Sequence, residues 1–253
     1  MNIQSPLAQE EWAGLSQYFS LHKHTGPCSA YSVKASELIE VQACSDYLDR
    51  LSVLLDSPSR GVTASQFIKR YAFLTAVPLL YAMTVYNKGL DFSAGNCWLA
   101  SPPGYSWLEY VSLAEANAAM PETGERQGWR DMLLQALFAG NLGRLIQVMS
   151  GVAHVPKAIL WENVAVRVFS LYEKRIGLSV DPQEKARGQA DFQYLIEQAP
   201  GALFGEKHNP LRRFYSRPAS SPVTGSPLRV RKTCCFYYEV AGSADYCSNC
   251  PKK

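Results

Sequence analysis

Four cysteines crowd one short stretch of this chain, and no other feature limits its fold as strongly. Residues 231–251 read RKTCCFYYEVAGSADYCSNCP: the adjacent pair Cys234-Cys235, eleven residues, then Cys247-Ser-Asn-Cys250. Four thiolates so placed can close a four-cysteine zinc site or an iron–sulfur cluster. The Cys-x2-Cys half serves both. The adjacent pair leans towards the cluster. Neighbouring side chains diverge in most backbone conformations, so aiming both at one small ion takes an unusual geometry, whereas a [2Fe–2S] rhomb offers two metals to reach. On spacing alone a four-cysteine zinc site stays open. A disulfide is the weakest of the three, since the chain has seven cysteines, an odd number, with four of them bunched together.

Charge follows the cysteines. Residues 207–253 hold nine Lys/Arg against two acids, Glu239 and Asp245, whereas residues 1–206 hold sixteen against twenty. A positive local field stabilises an anionic centre, and four thiolates around an oxidised [2Fe–2S] core carry a net charge of about −2. Arg229, Arg231 and Lys232 stand next to the cysteines to offset it. Phe236, Tyr237, Tyr238 and Tyr246 either shield the sulfurs from water or simply anchor the tail. The whole-chain charge of +3 is too mild to point to nucleic acid.

The rest of the chain reads as a folded body. Apolar residues make up 47% of 253, enough for a full core, and charged residues only 19%, too few for a disordered polyampholyte. Periodicity predicts helices over residues 8–21, 34–55, 122–152 (weakened by Gly140 and Gly143), 156–176 and 182–197. Another is capped by Thr63 or Ser65 and runs to about Asn87, with Pro78 kinking it or shifting its register. Residues 22–32 (HKHTGPCSAYS) read as a loop and 56–61 (DSPSRG) as a turn. Residues 90–100 and 107–113 read as two strands around a Pro-Pro-Gly break. Pro210, Pro218, Pro222 and Pro227 punctuate residues 205–230. The fold class is therefore mainly α with a small β element (α+β). Residues 1–206 form the helical body, and 207–253 an irregular, basic, cysteine-rich tail packed back on it. The N-terminal residues MNIQSPLAQEEW lack the apolar core of a secretory signal, and the most apolar stretch, 72–86, is too short to span a bilayer, so a cytoplasmic location is expected.

Smaller signals have plain readings. His22, His24 and Cys28 form H-x-H-x3-C, read as a polar loop before half a metal site. Cys44 and Cys97 read as core residues, and His154 and His208 as loop or helix-end residues. Trp161 reads as core, with Glu162 and Asn163 tying down a loop.

At the cysteine quartet the sequence resembles the FhuF family of ferric-siderophore reductases, whose pattern is Cys-Cys, ten residues, then Cys-x2-Cys. The eleven residues here amount to a one-residue insertion in the loop. The likeness extends to residues 64–99 (ASQFIKRYAFLTAVPLLYAMTVYNKGLDFSAGNCWL), 159–173 (ILWENVAVRVFSLYE) and 208–215 (HNPLRRFY). Some of these segments are also similar to the C-terminal region of aerobactin-type siderophore synthetases, which makes them markers of a shared fold. The quartet is what separates a reductase from a synthetase-like domain.

The resemblance implies one [2Fe–2S] cluster on Cys234, Cys235, Cys247 and Cys250, and one electron passed in the cytoplasm to Fe(III) held by an imported siderophore. It carries over no siderophore-contacting residue. Because many ferric siderophores are neutral or anionic, Arg212, Arg213, Arg217 and Lys207 are the candidates for a docking face, with Lys69 and Arg70 second. The alternative is that these are solvated or salt-bridged cations. No G-x-G-x-x-G occurs, so electrons are expected from outside: a ferredoxin, a flavodoxin or a small reductant. Contact with the inner membrane surface or a siderophore importer is a further expected partnership. Two other functions stay open: a zinc-stabilised binding module, and a non-catalytic siderophore-binding domain related to siderophore synthetases.

Overall fold

A helix buried along most of its length is a central one, and residues 60–81 form such a helix, with sixteen of its residues buried. In the computed structural model, which describes residues 2–25, 32–100, 107–216, 219–220, 227–240 and 246–253, the helices are α1 (Gln9–Phe19), α2 (Val41–Leu54), α3 (Arg60–Tyr81), α4 (Arg126–Leu134), α5 (Gly143–Val152), α6 (Lys157–Lys174), α7 (Pro182–Gln193) and α8 (Pro210–Phe214). The strands are β1 (Asn2–Gln4), β2 (Leu21–Lys23), β3 (Ser32–Lys34), β4 (Cys97–Ala100), β5 (Tyr110–Leu113), β6 (Ala119–Pro121), β7 (Ala219–Ser220) and β8 (Pro227–Leu228). The protein is thus mainly helical with a small four-stranded sheet and a C-terminal tail. Helix α3 buries Phe67, Ile68, Tyr71, Leu74 and Leu80 completely, and α6 packs along it. These two helices carry the groups that hold the tail.

The cap of α3 differs from the expectation. Ser59, not Thr63 or Ser65, is the N-cap; its backbone is extended (φ −161°) and its hydroxyl accepts from the Val62 N–H at 3.3 Å. The cap therefore stands four residues before Thr63, whose hydroxyl turns back onto the Ser59 carbonyl at 3.0 Å, while Ser65 is buried facing the tail. Ser59→Ala is expected to cost about 1 kcal/mol and lower the melting temperature by about 2–4 °C in a thermal melt followed by circular dichroism. An unchanged melt would mean that the hydroxyl caps nothing. Pro78 lies inside α3 with no N–H to offer the Leu74 carbonyl, and the helix then widens into a π-helical turn at Ala82–Tyr86 before Asn87 (φ 52°) ends it.

The helix expected over 122–152 begins at Arg126, after a turn in which Gly124 takes φ 85°, and runs without a break through a π-helical segment at Gln135–Leu142. Gly143 is needed there, because a Cβ would sit 2.7 Å from the Phe204 carbonyl oxygen. This run, Arg126–Val152, is long and apolar enough to cross a membrane (27 residues, mean hydropathy 1.2), yet half of its apolar window is buried in the fold, with Leu134, Leu137, Phe138, Leu142 and Ile146 in the core.

The expected hairpin is present: β4 pairs antiparallel with β5, Leu99 opposite Val111. The sheet order is β2-β5-β4-β3, with β2 parallel to β5. Residues 22–32 were expected as a loop and instead lend His22 and Lys23 to β2 and Ser32 to β3. The signal is weak because β2 is an edge strand in which only Leu21 is buried. Cys28 and the Pro-Pro-Gly break lie outside the described residues. The helix expected over 34–55 is split at Glu40, whose extended backbone separates a 3-10 turn at Glu37–Ile39 from α2.

Candidate metal centre

Among its described residues the cysteine segment has one short 3-10 turn, Tyr237–Glu239, as regular structure, so its position depends on what holds it. Glu162 of α6 is 2% exposed and accepts from the backbone N–H of Lys232 at 2.6 Å, from that of Thr233 at 2.7 Å, and from the Thr233 hydroxyl. Its neighbour Asn163 accepts from Arg231 Nη2 at 2.7 Å and donates to the Ser65 carbonyl at 2.9 Å, linking the tail to both α6 and α3. Ser65 Oγ and Gln66 Nε2 of α3 both donate to the Cys235 carbonyl, at 2.9 and 2.6 Å. Arg231 N–H donates to the Asn249 carbonyl at 3.0 Å and joins the two cysteine pairs. Glu162 and Asn163 thus tie down a loop, as expected, and the loop is the one that carries the sulfurs.

All four cysteines gather here, and they meet two by two. The Sγ atoms of Cys235 and Cys247 are 3.9 Å apart, close to the roughly 3.8 Å that two sulfurs adopt on one tetrahedral metal with bonds of about 2.3 Å. Cys234 interacts with Cys250. The adjacent cysteines therefore serve different partners. Phe236, at φ 60°, turns the chain just after them, and its N–H donates to Cys234 Sγ at 3.4 Å. Similar backbone donors reach Cys235 from Tyr237 and Cys250 from Lys252, the latter at 3.5 Å. Among the described residues no three metal-ligating side chains converge on a single point. The Cys235–Cys247 pair thus stands at the spacing of two sulfurs on one metal, with Cys234 and Cys250 against each other beside it.

The electrostatics suit a negative group. Cys235 is fully buried and Cys250 is 4% exposed, while Cys234 and Cys247 are half-buried. Burial raises the Cys234 thiol and pushes Cys247 up to about 11, with the neighbouring Cys235 adding to the latter. Cys235 goes the other way: burial would raise it, but Lys69 and Arg231, together with the Tyr237 N–H and Cys247, outweigh that and hold it below the usual thiol value. Lys69 Nζ lies 3.6 Å from Cys235 Sγ and 4.6 Å from the centre of the Tyr237 ring. Tyr238 and Tyr246 pack ring against ring at 4.9 Å, and Phe236 packs on the main core.

The other basic residues take varied places. Of the three expected to offset the cysteines, Arg231 does so. Arg229 is engaged by Glu173 at 2.6 Å, and Lys232 Nζ turns to the Arg213 carbonyl at 2.6 Å. Lys207, Arg212 and Arg213 line a separate cavity of about 450 Å³ beside His208, which none of the cysteines lines. Arg70 donates to the carbonyls of Leu108 and Glu109, both at 3.1 Å. Arg217 lies outside the described residues. Lys69 is thus the docking candidate that stands at the sulfurs. Sequence reading missed Arg167, a lone cation in the apolar run VAVRVFSL, which is the one signal that could have found it. Cys44 and Cys97 are core residues as expected, and His24 stacks on Trp98 at 4.8 Å.

The family described as "Ferric iron reductase FhuF-like transporter" matches residues 65–220, and the "FhuF 2Fe-2S C-terminal domain" matches residues 231–252. The second match covers all four cysteines and identifies the cofactor as a [2Fe–2S] cluster. No curated protein matches the sequence. Among solved structures the chain is similar to ATP-bound aerobactin synthetase IucA from a hypervirulent pathotype of Klebsiella pneumoniae (TM-score 0.56, 13% identity, 80% of this chain and 46% of that one). It is similar in the same way to a second structure of that synthetase (TM-score 0.57, 13% identity, 80% and 47%). The chain spans about half the length of these synthetases, and at this identity the likeness is one of fold.

Proposed function

Given that the chain belongs to the family of FhuF-like ferric iron reductases, we propose that it is a ferric-siderophore reductase of the cytoplasm that holds its cluster on Cys234, Cys235, Cys247 and Cys250. The observation that carries this reading is the two-by-two meeting of the sulfurs, Cys235 with Cys247 at 3.9 Å and Cys234 with Cys250. Bound there, a [2Fe–2S] cluster supplies one electron at a time. The substrate needs no more than that. A siderophore grips Fe(III) through hard oxygen donors, and the same donors hold the softer, less charged Fe(II) far less tightly.

The chain's own residues do the rest. Glu162, Asn163, Ser65 and Gln66 fix the sulfurs in place. Lys69 and Arg231 set positive charge against Cys235, and the N–H groups of Phe236, Tyr237 and Lys252 donate to sulfur. Both effects favour the more negative, reduced state and so raise the reduction potential. The electron donor is external: a ferredoxin, a flavodoxin or a small reductant.

Protein purified without oxygen is expected to be red-brown, to hold about two irons and two sulfides per chain, and to bleach with dithionite. The dithionite-reduced protein, freed of excess reductant, should then turn a ferric siderophore into Fe(II) caught by a ferrous chelator. Colourless, zinc-loaded protein that yields no trapped Fe(II) ends this reading.

A further inference from the structure

A guanidinium withdrawn from water is unfavourable until an anion faces it, and Arg167 of α6 is such a group. It is half-buried along a cleft of about 390 Å³ between α6 and the tail, in which Cys247 is the one cysteine of the lining. Its Nε donates to the Lys69 carbonyl at 3.3 Å, and its guanidinium lies 5.5 Å from the centre of the Phe73 ring. Among the described residues that is its one hydrogen bond, for a group with five N–H donors.

No carboxylate among the described residues pairs with Arg167. The two that reach the cleft are engaged: Glu162 by the tail amides, Glu173 by Arg229. Its charged neighbours are mostly cations. Burial, and after it Arg70 and Arg231, hold its pKa below the ordinary arginine value, while Cys235 works against them. Arg70 lies over the same Phe73 ring at 5.7 Å but is satisfied by the Leu108 and Glu109 carbonyls. The counter-charge that Arg167 lacks is therefore the anionic centre on the sulfurs. Attraction to a fixed cation grows with the negative charge of that centre, so it is larger in the reduced state, by the charge of one electron.

We propose that Arg167 sets the reduction potential of the cluster: its charge, withdrawn beside the sulfurs and paired with no carboxylate, favours the reduced state. The inference rests on the [2Fe–2S] reading of the quartet and states how that site is tuned. Arg167 acts through its charge and is not itself a ligand.

Optical redox titration of the cluster-loaded protein tests it, with iron content checked in every variant. At an ambient potential held at the wild-type midpoint, Arg167→Gln should lower the ratio of reduced to oxidised cluster about tenfold, which for one electron is a fall of about 59 mV in midpoint. Arg167→Lys keeps the charge and should stay within about twofold of the wild type. The fall should persist at about 1 M salt, which screens partly buried charges much less than exposed ones. Lys174, exposed and two turns further along the same helix, is the contrast: Lys174→Gln should change the ratio less than about twofold, and not at all at about 1 M salt.

An unmoved midpoint in Arg167→Gln overturns the proposal. So does a fall that Arg167→Lys shares, which would make the cause packing and not charge, or a fall that salt abolishes. Should the glutamine variant fail to fold, Arg167→Met, neutral and able to lie against Phe73, takes its place. If neither folds, Arg167 is a structural residue and the proposal fails. A protein that reduces ferric chelates and shows an unmoved midpoint keeps its reductase function and loses this assignment. One whose midpoint falls as expected yet reduces no chelate keeps the assignment and loses the reductase reading.

Discussion

Replacing Cys235 with serine is expected to leave a protein that is colourless as purified and holds almost no iron. Cys235 is fully buried, its sulfur is 3.9 Å from that of Cys247, and it is the cysteine whose ionisation the surroundings favour, through Lys69 and Arg231. A serine hydroxyl gives up its proton far less readily and is a poor ligand for iron. The substitution also leaves Lys69 and Arg231 with no thiolate to face, so a neutral replacement cannot recover the site. Cys247→Ser should behave alike, since it removes the other half of the same sulfur pair. Cys44→Ser is the control: Cys44 is equally buried but sits in α2, and its variant should lose about 1–3 kcal/mol of stability from the buried hydroxyl while retaining its iron. Iron and sulfide analysis with a visible spectrum decides the matter. Wild-type iron in Cys235→Ser would remove that residue from the ligand set.

Glu162→Ala should have the second largest effect, although Glu162 touches no sulfur. Its carboxylate, 2% exposed, receives two backbone N–H groups and a hydroxyl from Lys232 and Thr233 and lies 3.8 Å from Arg231 Nε. Its loss leaves those donors unpaired at about 1–3 kcal/mol each and breaks a buried ion pair, for which about 3–5 kcal/mol is typical. These overlap, so a net cost of about 3–5 kcal/mol falls mainly on the attachment of the tail. Hydrogen exchange should show the Lys232 and Thr233 amides losing protection while α3 and α6 keep theirs, and iron content should fall in step. Glu162→Gln keeps one acceptor and should lie between. Protected amides at 232 and 233 in the alanine variant would show that Glu162 is not the clamp.

Much of this arrangement was legible before the structure, for definite reasons. Helix α6 could be read over 156–176 because its apolar residues recur with one period, and Glu162 and Asn163 stood out as polar residues inside that run. The cysteine spacing narrowed the site to a cluster or zinc because a ligand pattern is local, and the family resemblance chose the cluster. What escaped is what depends on packing. Lys69 and Cys235 are 166 residues apart in the chain and 3.6 Å apart in space, a meeting that no short-range pattern encodes. The turn after the adjacent cysteines is made by a left-handed Phe236, a conformation unusual outside glycine. Lys207, Arg212 and Arg213 drew notice by nearness in sequence to the cysteines. Helix α8, however, buries Leu211 and Phe214, and its basic side chains line a cavity of their own. Ser59 was passed over as a cap because Thr63 and Ser65 are equally good capping types a turn later.

The clamp on α3 and α6 has a consequence for biosynthesis. Ser65 precedes Cys235 by 170 residues and Glu162 precedes Thr233 by 71. At about 5–20 residues per second, the ribosome completes this receiving surface, Glu162 being its last member, on the order of 4–14 s before the first of the four thiols follows it. The thiols therefore meet a prepared seat soon after they emerge, which shortens the interval in which loose cysteines are open to oxidation or to capture of a stray metal.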